Sequence, residues 1–224
     1  MFIPSPTPTP IIVDAADATG YLERMNISLL DLTKALDFGE TAAGNTDDNH
    51  PVTAAGFYRW SETNASIRRA HTSGGQWSRQ NPSGRPLIKN KEANYRLTAC
   101  GGDAATGTEA MPNVARRKGP AMEAAHRGQA PHMQLSLFLG LPEVGGWVAG
   151  TPEADQPPEG EWLLLYHRDR GEIRAEVSLP TGFKDGFVTD WAVRVILPST
   201  DMTERKKIPT DIGGGDVEFN IMEA

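Results

Sequence analysis

The alternation of apolar and polar positions is clearest across residues 161–198, where it predicts an antiparallel sheet. Residues 162–166 form a continuous apolar run too short for an ordinary helix, and a charged turn with a glycine follows it. Apolar and charged side chains then alternate over 172–179, so one face of this strand is predicted to be buried and the other solvated. Pro180 is predicted to end the strand, and a third alternating run spans 187–197.

Helical spacing marks two segments in the N-terminal half of the chain. Ser28 is suited to cap a helix whose leucines recur at positions i, i+3 and i+7, and Gly39 fits the position just after its end. A second periodic run places Phe57, Trp60 and Ile67 on one side, which is predicted to face the core, before two consecutive glycines end it. Both segments are therefore predicted to be helices with one apolar face.

Shorter signals complete the predicted fold. Residues 95–100 have strand character and lead into a Gly-rich loop, a short helix is predicted through Met122, and 217–221 alternate as a last strand. The chain is therefore predicted to be a soluble α+β protein with an antiparallel sheet of four to six strands centred on 161–221 and helices mainly in the N-terminal half.

The organisation predicted from composition is a tail followed by one domain. Prolines at alternate positions predict a flexible tail over 1–10, and 11–224 is interpreted as a single α+β domain, with a smaller helical lobe over 11–75 as the alternative. The first residues lack the features of a signal peptide, and no apolar run reaches the ~18 residues that a membrane span needs. A cytoplasmic protein without membrane contact is predicted.

The net charge of −7 conceals an uneven distribution. Residues 1–58 carry 2 basic and 8 acidic side chains, 59–127 carry 12 and 5, and 128–224 carry 8 and 16. The basic middle segment, 59–127, has the charge expected of a surface for an anionic partner. The favoured alternative is pairing with the acidic flanks inside the fold.

The Gly-rich loop at 101–108 is the first candidate site, because a glycine turn after a strand can leave backbone N–H groups free for a phosphate. The loop lacks the Lys-Ser/Thr of a P-loop, and an ordinary connection that needs glycine explains it equally well. Its candidate ligand-binding or phosphate-binding residues are Gly101, Gly102, Asp103, Thr106 and Gly107.

Carboxylates on the predicted sheet are the second candidate. Asp103, Glu176 and Asp190 are weak candidates for catalysis, since paired carboxylates near an arginine can perform acid/base chemistry, but any half-solvated sheet shows the same alternation. Cys100 is a possible nucleophile with a histidine as base, although a lone cysteine is more often a small buried apolar residue. The histidines have no ligand spacing, so neither a metal nor a cofactor is predicted.

Basic side chains interleaved with aromatic ones are the third candidate. This composition is typical of nucleic-acid surfaces, but no helix-turn-helix, RNA-recognition or zinc-finger spacing accompanies it. The residues predicted to bind nucleic acid or another partner are Arg68, Arg69, Arg116, Arg117 and Lys118.

Four phrases carry a resemblance: GDAATG at 102–107, KGPA at 118–121, RAEVSLP at 174–180 and DWAVRVILP at 190–198. Through them the chain resembles uncharacterised bacterial proteins of about this size that are associated with phages and mobile elements. The resemblance extends from Trp60 to Pro198 and implies a phage or bacterial-defence setting. It supplies no catalytic residue and no substrate.

Two hypotheses of function follow. The first is a non-enzymatic binding module, with a protein as the favoured partner and nucleic acid, bound through 59–127, as the other. The second is a hydrolase or nucleotide-binding enzyme that uses the 101–108 loop and the carboxylates of the sheet.

Overall fold

The computed structural model of the protein describes residues 9–126 and 156–201. In chain order the elements are β1 (Ile11–Val13), α1 (Ala18–Glu23), α2 (Leu29–Gly44), α3 (Ala54–Ser73), β2 (Trp77–Gln80), a 3-10 turn (Pro82–Gly84), β3 (Leu87–Asn90), β4 (Tyr95–Gly101), α4 (Pro120–His126), β5 (Gly160–Asp169), β6 (Glu172–Lys184), β7 (Phe187–Ile196) and β8 (Thr200–Asp201).

The strands form one eight-stranded sheet in the order β1-β7-β6-β5-β4-β3-β2, with β8 paired to β6. The predicted α+β class and the antiparallel β5, β6 and β7 are confirmed. The predicted sheet was too small, and its purely antiparallel character was wrong, because β4 pairs with β5 and β1 with β7 in parallel. A parallel pair needs a long crossover, and the connection that contains α4 supplies one between β4 and β5. The strand predicted at 217–221 lies outside the described residues.

The strand β6 does not stop at Pro180. The register between β6 and β7 shifts at Leu179/Pro180 and again before Phe183, so the proline, which has no N–H to donate, is accommodated at a bulge. The shift also interrupts the strict alternation of side chains along β7, so residues on its two sides point to opposite faces of the sheet. As a result Val193 packs in one core cluster and Trp191 in the other.

The helix α2 begins as predicted but ends later. The Ser28 side chain caps it, with Oγ accepting a hydrogen bond from the Asp31 N–H at 3.2 Å. Gly39 lies inside the helix and not after its end. A Cβ atom at Gly39 would lie 2.9 Å from the backbone oxygen of Arg59, so glycine permits the close approach of α2 and α3 at this point.

The helix α3 is confirmed, and it ends just before the two glycines. Ile67 is buried in the core as predicted. Trp60 is only partly buried, and Phe57, also predicted to face the core, is 58% exposed. The apolar side of α3 therefore extends beyond the surface that packs on the sheet.

Both faces of the sheet are covered. The helices α1, α2 and α3 pack on one face in a cluster that includes Leu22, Leu32 and Trp162. On the other face, Val114 and Met122 pack in a second cluster with side chains of β4, β5 and β7. The prediction that one face stays in water was wrong here, and burial on both sides explains why residues 162–166 form an unbroken apolar run.

Among residues 9–126 and 156–201, no helix is both long enough and apolar enough to cross a membrane.

Candidate functional site

A groove of about 740 Å³ opens where β4 and β5 end. The carboxyl ends of neighbouring parallel strands are a common place for ligand sites in sheets with helices, because loops diverge there. The groove is lined by three segments, comprising Thr53, Gly56, Phe57, Arg59 and Trp60 around the start of α3; Gly101, Gly102, Ala115, Arg116 and Lys118 after β4; and Tyr166, His167 and Arg168 of β5.

Backbone pairing brings the walls of this groove together. Gly101 and Tyr166 are register partners in the parallel pair, and the Gly102 N–H donates to the Tyr166 carbonyl at 2.9 Å. The Ala115 N–H donates to the Gly101 carbonyl at 2.8 Å, so the chain that carries the next basic residues is attached to the end of β4. This backbone hydrogen bond to the end of β4 therefore places Arg116 and Lys118 at the edge of the sheet.

Four permanent cations line the groove, namely Arg59, Arg116, Lys118 and Arg168, and none of its lining residues within 9–126 and 156–201 is a carboxylate. Glu40 of α2 lies behind the groove with 8% of its surface exposed. Its two carboxylate oxygens accept hydrogen bonds from the Arg59 guanidinium, and one lies 3.5 Å from Nε of Arg168. A single carboxylate therefore orients two of the four cations, and the groove keeps an excess of positive charge.

The other two cations belong to a loop supported by the turn between β6 and β7. The Lys118 N–H donates to the carbonyl of Gly186 at 2.8 Å. A Cβ atom at Gly186 would lie 2.5 Å from both the Lys118 carbonyl oxygen and the Arg117 Cγ, so the turn and the loop are in close contact. In the described part of the chain, no carboxylate forms an ion pair with Arg116, Arg117 or Lys118.

Aromatic side chains stand beside these cations on α3. Phe57 is 58% exposed and Tyr58 is 43% exposed. The Phe57 ring centroid lies 5.9 Å from the ring of Tyr58 and 5.9 Å from that of Trp60. Tyr166, at the end of β5, is buried, and this burial raises the pKa of its hydroxyl, which therefore stays protonated. The groove thus combines positive charge with the partly exposed aromatic side chains of Phe57 and Trp60.

No family model, curated protein or solved structure matches this chain. The resemblance to phage and mobile-element proteins therefore stays a prediction.

The loop at 101–108 contributes only its first two predicted residues to the groove, Gly101 and Gly102. Most of its backbone N–H groups donate within the protein: Asp103 to Asn113, Thr106 to Asp103, and Gly107 to the Glu176 carboxylate at 2.9 Å. Thr106 is fully buried. Phosphate binding by this loop stays a prediction, and these internal hydrogen bonds give it less support than the groove has.

Glu176 and Arg194 form a fully buried ion pair beneath this loop. The Arg194 Nη2 lies 2.6 Å from Glu176 Oε2 and donates to the Thr108 carbonyl at 2.8 Å. The Ser178 hydroxyl donates to Glu176 Oε1 at 2.7 Å. These contacts hold the loop on the second face of the sheet, and they leave Glu176 without access to solvent.

Two of the weak catalytic candidates, Glu176 and Asp190, lie well apart on the sheet. Asp190 pairs with Gly182 on β6, six residues from Glu176, a separation of roughly 20 Å along the strand. The Asp103 carboxylate accepts from the Ala105 N–H at 3.1 Å within its own turn. Residues 9–126 and 156–201 contain no cluster of three histidine, cysteine or acidic side chains suited to a metal ion.

Cys100 is buried in the second core cluster, and burial raises the pKa of its thiol. The thiolate form that a nucleophile needs is therefore disfavoured. This environment is the one expected of a small apolar core residue.

The basic middle segment divides between internal pairing and the groove. Arg59 and Arg85 pair with Glu40 and Glu161 of the acidic flanks, as the favoured interpretation of the charge distribution predicted. Of the five residues predicted to bind nucleic acid or a partner, Arg116 and Lys118 line the groove. Arg117 lies beside them, whereas Arg68 and Arg69 lie further along α3, where Arg69 pairs with Glu62.

The sequence pattern did not indicate Arg59 or Arg168 as site residues. Arg59 stood on a helix face assumed to point away from the core, and Arg168 was assigned to a turn. The parallel pairing of β4 with β5 could have indicated Arg168, because it brings residues after 100 and after 165 to one edge, but it carries no information about Arg59 on α3.

Proposed function

We propose that this protein is a non-enzymatic binding module that holds nucleic acid in the groove at the ends of β4 and β5. The observation that carries the proposal is the convergence of Arg59, Arg116, Lys118 and Arg168 on one groove to which the described residues contribute no lining carboxylate. Phosphate groups are the ligands that arginine and lysine bind most often at nucleic-acid surfaces.

The charge of the groove favours nucleic acid over the protein partner that the sequence favoured. Protein interfaces are usually depleted of charge at their centre, whereas four cations line this groove. The chain as a whole carries a net charge of −7, which opposes attraction of a polyanion at long range. Binding is therefore expected to depend on direct contacts in the groove and to weaken with salt.

An enzymatic function has less support. Glu176 is fully buried and paired, and Asp190 lies opposite Gly182, six residues further along β6. Among the described residues that line the groove there is no carboxylate, and His167 is the one side chain of a type that often serves as a general base. The phage or bacterial-defence setting rests on the resemblance alone.

The test is the affinity for a fluorescent oligonucleotide, measured by anisotropy over a range of salt concentrations. Log affinity is expected to fall linearly with log salt, by about 0.7 per phosphate contacted on a single strand and about 0.9 on a duplex. The double variant Arg116→Glu, Lys118→Glu is expected to weaken binding at low salt by about tenfold or more and to reduce the slope by about 1 for each phosphate that is no longer bound.

The matched control is Arg79→Glu, Lys91→Glu, which makes the same change of charge at two exposed basic residues outside the groove. It is expected to retain most of the affinity. Equal losses in both double variants, with unchanged melting temperatures, would show a general charge effect and contradict the groove. A parent protein that binds neither single strands nor duplex at low salt would contradict the function itself.

A further inference from the structure

The exposed rings on α3 are the feature of the groove that its charge does not explain. Phe57 lines the groove and is 58% exposed, although the helical pattern predicts it in the core. Trp60 lines the same groove, and Tyr58 is exposed next to Phe57, so three aromatic side chains lie within the first two turns of α3. Large apolar side chains grouped at a surface mark a site that is covered when a ligand binds.

The ligand chemistry that fits rings beside cations is an unpaired base on a phosphate backbone. Base faces stack on aromatic side chains and the backbone lies along basic residues. In a duplex the base faces are already stacked on one another, so they cannot stack on Phe57 or Trp60. An intact double helix therefore presents mainly its sugar-phosphate backbone to these rings.

The size of the groove agrees with this chemistry. A volume of about 740 Å³ lies within the range of pockets that hold a small ligand, roughly 300–1,000 Å³. Its walls differ in character, because the rings belong to α3 while Arg116 and Lys118 belong to the loop after β4. A single strand can contact both at once.

We infer that the groove is a site for single-stranded nucleic acid, in which an unpaired base stacks on Phe57 beside Trp60 and the adjoining phosphates bind Arg116, Lys118 and Arg168. This inference rests on the proposed function and makes it more specific. It identifies Phe57 as the residue that selects single strands, and the cations as residues that bind any phosphate backbone.

The experiment compares three probes of equal length with the parent protein: a single strand, a hairpin duplex and an abasic strand that keeps the phosphates but lacks the bases. The single strand is expected to bind at least about tenfold more tightly than the other two. Phe57→Ala is expected to weaken binding of the single strand by about 5-fold to 100-fold, the loss of one stacked base, and to leave binding of the abasic strand unchanged.

The matched control is Phe38→Ala, which removes a phenylalanine that is 53% exposed on α2 and does not line the groove. Both variants alter exposed side chains, so both should keep the parent melting temperature. If the parent binds all three probes equally and Phe57→Ala changes none of them, the single-strand inference is overturned while nucleic-acid binding stands. If the parent binds no probe at low salt, the proposed function fails, and the inference fails with it.

Discussion

Glu176 and Arg194 are the two buried charges on which the loop beside the groove depends. Neither is exposed, and together they bond to Gly107, Thr108 and Ser178. Removing two charges from water is costly, and only their mutual attraction and these additional hydrogen bonds offset the cost. The pair is therefore expected to tolerate loss of both charges far better than loss of one.

Arg194→Met should lower the free energy of unfolding by about 3–5 kcal/mol, because it leaves the Glu176 carboxylate buried without a cation. The double variant Glu176→Leu, Arg194→Met should recover most of this loss, since no buried charge remains. Urea denaturation of the parent and both variants measures the two quantities. A single variant that loses less than about 1 kcal/mol would mean that water reaches Glu176.

The burial of these two charges could not be predicted from the alternation of the strand. The pattern correctly placed Glu176 and Arg194 on one face, opposite the apolar residues of β6 and β7. Whether that face meets water depends on the loop after β4, which is distant in sequence and has no periodicity of its own. Local patterns specify which side chains share a face, but they do not specify what covers it.

At the level of elements, the turn between β6 and β7 supports the loop that carries two of the groove's cations. Asp185 and Gly186 both have positive φ, at 54° and 80°, as the tight turn of a hairpin requires. Gly186 also touches Arg117 and Lys118, so this position is restricted in space as well as in backbone conformation. The turn is therefore expected to influence binding without contacting the ligand.

Gly186→Ala should displace the loop and weaken oligonucleotide binding by about threefold or more. It should also lower the free energy of unfolding by roughly 1–2 kcal/mol, because a side chain is placed at positive φ. Gly75→Ala is the matched control, because Gly75 has the same φ of 80° and open space around it. The Gly75→Ala variant should lose a similar free energy of unfolding and keep the parent's affinity for the oligonucleotide. Parent-like binding by Gly186→Ala, measured by anisotropy, would show that the loop does not depend on this turn.

The elements themselves were largely predictable, and their non-local pairing was not. Period-2 alternation indicated β5, β6 and β7, and helical spacing with a Ser28 cap indicated α2 and α3. The parallel pairing of β4 with β5, the bulge at Pro180 and the exposure of Phe57 all depend on contacts between distant segments. Propensity and periodicity carry little information about such contacts. The groove is formed by contacts between distant segments. The sequence therefore indicated it only through Arg116, Lys118 and the first two glycines of the 101–108 loop.

At the level of the molecule, charge and aromatic surface are concentrated at one edge of a sheet that is covered on both faces. Acidic residues of the flanks neutralise Arg59 and Arg85 in part, whereas the loop with Arg116 and Lys118 has no such partner in the described part of the chain. An acidic protein with a local basic groove is expected to bind a polyanion by short-range contact. Binding is therefore expected in the groove at this edge of the sheet.

Amide hydrogen exchange of the full chain, with and without a short single-stranded oligonucleotide at low salt, tests that location most directly. Binding in the groove should slow exchange in three segments together: the first turns of α3 around Phe57, the loop around Arg116 and Lys118, and the end of β5 around Arg168. The edge strand β2, which lies at the far end of the sheet order, should be unchanged. Tight binding that leaves these three segments unprotected, or that protects β2 instead, would contradict a binding site in the groove.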